Sequence, residues 1–326
     1  MYGLNLELTT SCPLRCPQCY CTLEGGRHLR LETAKEKIIE AEANGVRVLH
    51  LSGGETLCYP WLYELIEFAH AHCNEVNVAL SGWGFDEHVF SKLVRAGITG
   101  IFISLNGSTK ALNSLTRDGY EYAIHALEVL RAENYQSTTI NWVMHSNNSS
   151  DFTNVLNLAE EYRVKRLTVL SFKPDSHHQM KSFPNGEQIV EVAENIRAYR
   201  GKVQLCVETC FSQLLAVLKD TKLFGNLNVG PAKGCRAGLY NYCISVDGLY
   251  SPCRHIDLQE KFDTLNEYLD KSKVIQKLRA VEHDIRNPCS SCYYKNNCRP
   301  CMAVTNKLNG EIYFGHSICS LWKTKI

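Results

Sequence analysis

The chain lacks a charge excess of either sign: 35 lysines and arginines stand against 34 aspartates and glutamates, a formal net charge of +1. That balance supplies no broad field to gather nucleic acid or an anionic membrane, so neither is expected as a partner. No apolar run approaches the roughly 18 residues that a spanning helix needs. The start, Met1-Tyr2-Gly3-Leu4-Asn5-Leu6-Glu7, has no basic segment followed by an apolar one, so no signal peptide is visible. Internal repeats and low-complexity tracts are missing as well. What the chain does have is cysteine, 16 residues in 326. In a short secreted protein these would read as disulfides. This chain is long and unsignalled, with an ordinary 44% hydrophobic and 21% charged residues, so metal binding is the better reading and a reducing cytoplasm the expected setting.

The first two thirds alternate short apolar strands with amphipathic helices. Leu4-Asn5-Leu6-Glu7-Leu8 alternates with period two, as a half-buried strand does. Further strands are expected at 46–51, 76–80, 100–105, 138–143 and 165–172. Helices are expected at 31–44, closed by Gly45, and at 61–73, 86–96, 120–133, 151–162 and 187–199. Six βα units imply a parallel sheet with helical crossovers, an α/β partial barrel or an open sheet, since a closed barrel takes eight. Active groups then belong at the carboxyl ends of the strands. Three parts follow: a partial barrel over 1–203, a bridging helix at 206–219 with a Gly- and Asn-rich linker at 224–231 within 204–231, and a cysteine-dense domain over 232–326, with a helix near 265–281.

Right after the first strand stand Cys12, Cys16 and Cys19, with the spacing C-x3-C-x2-C. Three thiolates this close can hold three corners of a [4Fe-4S] cube and leave one iron open. A zinc site would take a fourth ligand, and only Cys21, two residues beyond Cys19, is near. In the cysteine-dense region, Cys235-x12-Gly248-x4-Cys253 precedes Cys289-x2-Cys292-x5-Cys298-x2-Cys301 and then Cys319, with Cys243 between the first two. Eight thiols suffice for two four-thiolate sites, of iron and sulfur or of zinc. Asp247-Gly248 between apolar runs predicts a two-residue hairpin with Val246 opposite Leu249, bringing Cys243 and Cys253 together at its open end. Asn309-Gly310 predicts a second hairpin.

The first run resembles the signature of radical S-adenosylmethionine (SAM) enzymes. Gly53-Gly54-Glu55 after the second strand resembles that family's glycine-rich loop, and Ile103-Ser104-Leu105-Asn106-Gly107 its ribose-contacting segment. Arg117 stands where relatives often carry a basic residue. The chain departs from the pattern at Gln18, where an aromatic is common, at Thr56, where Pro is, and at Asn106, where Asp is. The resemblance implies a partial (β/α)6 barrel and reductive cleavage of SAM to a 5′-deoxyadenosyl radical. It implies SAM contacts from Gln18, Gly53, Gly54, Glu55, Ser104, Asn106 and Arg117. The C-terminal cysteines resemble the SPASM domain of peptide-modifying radical enzymes. That likeness implies two auxiliary [4Fe-4S] clusters, one on Cys235, Cys243, Cys253 and Cys301 and one on Cys289, Cys292, Cys298 and Cys319. The gap before Cys301 is x2 where the family usually has x3.

Cys21, Cys58, Cys73, Cys206 and Cys210 remain, read first as small buried hydrophobes. Cys210 is the named candidate for a hydrogen donor to a substrate radical, with Cys206 or Cys58 as alternatives. His177-His178 reads as a solvated loop near the mouth. Asn5 and Glu7 point either into the barrel or to a solvated edge. The expected function is modification of a ribosomal peptide, by a thioether or carbon–carbon crosslink, oxidation or epimerisation. Flavodoxin or ferredoxin is the expected electron donor. With no leader-binding domain ahead of strand one, a separate leader-binding protein is an expected partner. The alternatives are a radical SAM dehydrogenase or epimerase of an aminoglycoside or sugar, and a non-enzyme: an iron-sulfur electron carrier or a zinc-stabilised interaction protein.

Overall fold

The computed structural model describes residues 3–174, 176–220, 222 and 233–323. In β1 (Gly3–Glu7) the leucines point one way and are buried, while Asn5 and Glu7 are half-buried on the other face. β1 pairs in parallel with β2 (Val48–Ser52), Leu4 beside Leu49 and Leu6 beside Leu51. β3 (Glu75–Leu80), β4 (Gly100–Ser104), β5 (Thr138–Met144), β6 (Arg166–Ser171) and β7 (Gln204–Val207) each pair in parallel with the strand before. The helices α1 (Leu31–Ala43), α2 (Leu62–His72), α3 (Glu87–Arg95), α4 (Lys110–Ser114), α5 (Tyr120–Ala132), α6 (Phe152–Glu161) and α7 (Gly186–Ala198) lie in the crossovers. Their apolar stripes and the sheet share one core. The fold is a partial, barrel-like parallel sheet with helical crossovers, one strand longer than the six-unit reading.

That seventh strand falls where the sequence reading puts the start of a bridging helix. β7 has no fully buried position to produce a period-two signal, and the helix is confined to α8 (Ser212–Lys219). Beyond it, β8 (Asn241–Ile244) adds to the free edge of β1, also in parallel, with Leu4 beside Tyr242 and Asn5 beside Cys243. β9 (Tyr250–Ser251) folds back on β8. The hairpin register differs from the expected one: Ile244 faces Tyr250, and Ser245 N donates to Leu249 O at 2.9 Å. The loop is therefore three residues, Val246–Gly248, with Gly248 in the left-handed region at φ +77°. A three-residue hairpin puts its left-handed glycine there, which shifts every pair by one.

Two further expectations are corrected. Residues 265–281 form two helices, α9 (Leu265–Lys271) and α10 (Lys273–Ala280), because the Ser272 hydroxyl caps the second by accepting from Ile275 N at 3.0 Å. Asn309-Gly310 ends α11 (Met302–Asn309), with Gly310 at φ +70° as its C-cap, rather than turning a hairpin. The linker read at 224–231 lies outside the described residues. A second apolar core, with Ile256, Leu278, Met302, Val304 and Phe314, carries Cys235 and Cys301.

Trp142 shows how the core supports the site. It is fully buried in β5, and its Nε1 donates to Asn106 O at 3.1 Å, holding the residue that follows β4 and Leu105. Trp142→Ala should lower the unfolding free energy by about 3–5 kcal/mol, as other buried Trp truncations do; urea unfolding followed by far-ultraviolet circular dichroism checks this.

Candidate active site

The segment after β1 crosses the carboxyl ends of the strands, and backbone contacts hold it there. Gly54 N donates to Thr9 O at 2.7 Å, and Glu55 N to Ser11 O at 2.8 Å. A Cβ on Gly54 would lie 2.3 Å from Ser11 O, and one on Gly53 would lie 2.6 Å from Thr9 O. The two glycines are thus required because main chain meets main chain beside Cys12.

Cys12, Cys16 and Cys19 come together at one cavity, Cys16 and Cys19 acting electrostatically on Cys12 and Cys19 on Cys16. Arg15 ties the turn, its Nη1 donating to Cys12 O at 2.7 Å and its backbone N to Asp118 Oδ2 at 2.8 Å. Burial pushes Cys12 up to about 11. Cys19 is held down to about 6, first by a hydrogen bond from the Cys21 thiol and further by Arg117 and Arg15. Cys21 also donates to Gly53 O at 3.1 Å.

These thiols open on a cavity of 160 Å³. Of the expected SAM contacts, Gln18, Gly53, Gly54, Ser104, Asn106 and Arg117 line it. Gln18 Oε1 and Arg117 Nε are buried there without a hydrogen-bond partner, two polar atoms suited to a polar ligand. Asn106 lines the cavity as a braced residue, its Nδ2 donating to Thr116 Oγ1 at 2.9 Å and its Oδ1 accepting from Val143 N at 3.1 Å. Glu55 stands behind the wall. Its carboxylate accepts from Ser81 N at 2.9 Å and from the Ser81 hydroxyl, and burial raises its pKa.

The same cavity is lined by residues that sequence reasoning did not single out. Lys173 Nζ meets Glu208 at 2.9 Å, with side-chain exposures of 6% and 24%. Burial opposes both charges, but Lys173 keeps Glu208 below the usual carboxylate range. Arg254 lies 5.3 Å over the Tyr20 ring, which packs on His255 at 4.4 Å. Lys173 follows β6 and Glu208 follows β7, the position where a parallel sheet presents its chemistry. The unread seventh strand hid the second of them.

Tyr20, Cys21, Arg254 and His255 also line a second, more polar cavity of 350 Å³, with Glu7, Cys243, Asp257 and Lys307. Glu7 therefore faces inward. Burial, opposed by Arg254 and reinforced by Asp257, raises its pKa to about 7.

The remaining thiols form two groups. Cys319, Cys289 and Cys292 act on Cys298, and Cys289 and Cys292 also act on Cys319. At the junction with the barrel, Cys235, Cys253 and Cys301 are joined by Cys243 and by Cys210. Cys210 turns toward Cys301 and does not line the first cavity. Cys73 is buried, and Cys58 and Cys206 half-buried. His177 and His178 are exposed. Among the described residues no three His, Cys, Asp or Glu side chains converge as ligands of a single metal ion, the arrangement zinc requires. A cubane binds each thiolate at a different iron and does not ask for that convergence.

The profile of the radical SAM superfamily matches residues 6–159. The chain is similar to that superfamily over slightly less than half its length. It is 35% identical over 169 residues to PqqA peptide cyclase of Ruegeria pomeroyi, a match over 50% of this chain and 45% of that one. It is 24% identical over 326 aligned residues to the AdoMet-dependent heme synthase of Methanosarcina barkeri, over 94% and 92% of the two chains. Streptococcus suis SuiB, bound to its precursor peptide SuiA, superposes with a TM-score of 0.78 at 16% identity, over 98% of this chain and 75% of that one. This last likeness is one of fold. A radical SAM domain uses SAM and a [4Fe-4S] cluster, and the three grouped thiols with the two unpartnered polar atoms fit that pair. No helix among the described residues is long and apolar enough to cross a membrane.

Two outcomes are expected. Gly54→Ala should displace the Cys12 segment and lower SAM cleavage about 100-fold, the effect of a misplacement near 1 Å; 5′-deoxyadenosine formation measures it. Glu7 keeps its proton in the fold up to about pH 7, while the unfolded chain loses it near 4.5. Its contribution is therefore present below pH 4.5 and lost as the pH rises through 7. Glu7→Gln should flatten the fall in unfolding free energy across that window.

Proposed function

We propose that this chain is a radical SAM enzyme of the SPASM type that modifies a residue of a ribosomal peptide. The observation that carries this reading is the shared cavity. Cys12, Cys16 and Cys19 line it together with Lys173, Glu208 and Arg254, and the junction thiols Cys210 and Cys301 act on Lys173. The names of relatives, PqqA peptide cyclase and the peptide-bound SuiB, support a peptide substrate.

Cys12, Cys16 and Cys19 would hold the first cluster. Gln18, Ser104, Asn106, Arg117 and the Gly53-Gly54 backbone would hold SAM. When bound, the pair supplies a 5′-deoxyadenosyl radical that takes a hydrogen atom from the substrate. The Lys173 ammonium and the Arg254 guanidinium would orient a substrate carbonyl or carboxylate, and Tyr20 and His255 would limit access of water from the second cavity. Two auxiliary clusters would sit in the C-terminal thiol groups, one on Cys289, Cys292, Cys298 and Cys319 and one at the junction. An oxidative crosslink gives up one further electron and a proton, which an auxiliary cluster, if bound, would take as electron acceptor and Glu208 as base; epimerisation would instead take a hydrogen atom back. A flavodoxin- or ferredoxin-type donor, a separate leader-binding protein and a cytoplasmic setting complete the reading. The near-full-length match to a heme synthase favours a small-molecule substrate as the second reading.

The chain reconstituted anaerobically should hold about twelve irons, the content of three cubanes. With SAM and a reductant it should form 5′-deoxyadenosine, and Cys16→Ala should abolish that product and lower the iron to about eight. No 5′-deoxyadenosine from the wild type would overturn the enzyme reading. Incubation with short peptides encoded near the gene should give a peptide lighter by two hydrogens, or one that takes up solvent deuterium. Turnover of a porphyrin or sugar with no peptide product would favour the second reading.

A further inference from the structure

The junction holds five thiols, and a cubane has four corners. Their contacts separate four from the fifth. Cys235 and Cys301 are buried in the second apolar core and Cys210 and Cys253 pack against it, whereas Cys243 is not part of it; Cys235, Cys301 and Cys210 follow one another toward Glu208. Cys253 lies beside Cys235. Cys253 acts on Cys243, whose own hydrogen bond goes to the carbonyl of its neighbour Ile244 at 3.6 Å.

The surroundings sort them in the same way. Met302 N, at the start of α11, donates to the Cys235 sulfur, and His255 N donates to the Cys253 sulfur at 3.5 Å. Such amide bonds to sulfur stabilise cluster thiolates. Cations stand beside each of the four: Lys173 by Cys210, Cys253 and Cys301, Arg254 by Cys253, and Arg299 by Cys235. Four thiolates on a cubane leave a net negative charge that a buried site must offset. Cys243 instead lines the second cavity, where Glu7 acts on it more strongly than Arg254 does and no amide N–H bonds to its sulfur among the described residues.

We propose that Cys210 is the fourth thiolate of the junction cluster, with Cys235, Cys253 and Cys301, and that Cys243 stays a protein thiol. This rests on the auxiliary-cluster reading above. Each S–H bond is exchanged for an S–Fe bond without change of oxidation state. The four thiol protons pass to solvent as the cluster binds.

Cys210→Ala and Cys243→Ala in the full chain, reconstituted anaerobically with ferrous iron and sulfide, test it. The wild type should bind about twelve irons; about four would overturn the auxiliary reading itself, independently of which thiols are involved. Cys243→Ala should keep the wild-type iron count, Mössbauer spectrum and midpoint potentials. Cys210→Ala should lose about four irons, or keep them with an altered spectrum and a shifted potential for one cluster. Cys210→Ser, should alanine unfold the chain by circular dichroism, should give the altered spectrum. Any loss or spectral change in Cys243→Ala overturns the assignment, as does a Cys210 variant with wild-type count and spectrum.

Discussion

Both edges of β1 are taken. β2 pairs with one and β8 with the other, so the cysteine-dense part is joined to the barrel by main-chain hydrogen bonds as well as by side-chain packing. A strand so placed cannot slip by one residue without turning Leu4 and Leu6 out of the core. That register also sets the height at which the Cys12–Cys19 segment leaves the sheet and the height at which Cys243 and the β8–β9 hairpin stand beside it. Arg254 and His255, just past that hairpin, reach the wall of the first cavity for this reason. Tyr250 strengthens the join from the outer side, its hydroxyl accepting from Lys37 Nζ of α1 at 2.6 Å.

The near-zero net charge conceals a strongly uneven arrangement. Lys173, Arg254 and Arg299 are cations withdrawn from solvent, and buried thiols lie against each of them. Burying a cation costs several kcal/mol unless an opposite charge repays it. Glu208 answers Lys173 directly, but among the described residues Arg299 donates to carbonyls, those of Cys235 and, at 2.8 Å, Leu278. Thiols lower none of that cost while they are neutral; thiolates do. The distribution of positive charge is thus better matched to the deprotonated, cluster-bound form of these cysteines.

What could be read from sequence follows the range of each interaction. Period two in Leu4–Leu8 and the helical stripe of α2 are local, and both elements appear within a residue or two of the expected limits. The Cys12, Cys16 and Cys19 group was equally legible, since one turn of chain brings it together. β7 was not, because a short edge strand with no buried position carries no alternation. Asn309-Gly310 misled because a left-handed glycine serves a helix end as well as a hairpin, and the choice lies with the apolar residues of α11, which pack on a distant core. The Lys173–Glu208 pair joins residues 35 apart across neighbouring strands, and Glu55 is turned away from the cavity by Ser81, 26 residues on. Neither fact has a local signature.

The pair also links the two halves of the chemistry. Glu208 accepts from Ser171 N at the end of β6 and from Lys173 on the side of the first cavity, and from the Cys210 thiol on the side of the junction. A carboxylate with donors on two sides cannot change its charge for one without affecting the other. An anionic substrate group settling against Lys173 would draw that ammonium from Glu208 and leave the carboxylate a stronger acceptor toward the thiol row. A charge appearing in the thiol row would in turn hold Lys173 more tightly and weaken its grip on substrate. Lys173 and Glu208 would in that case couple occupancy of the cavity to the charge state of the junction.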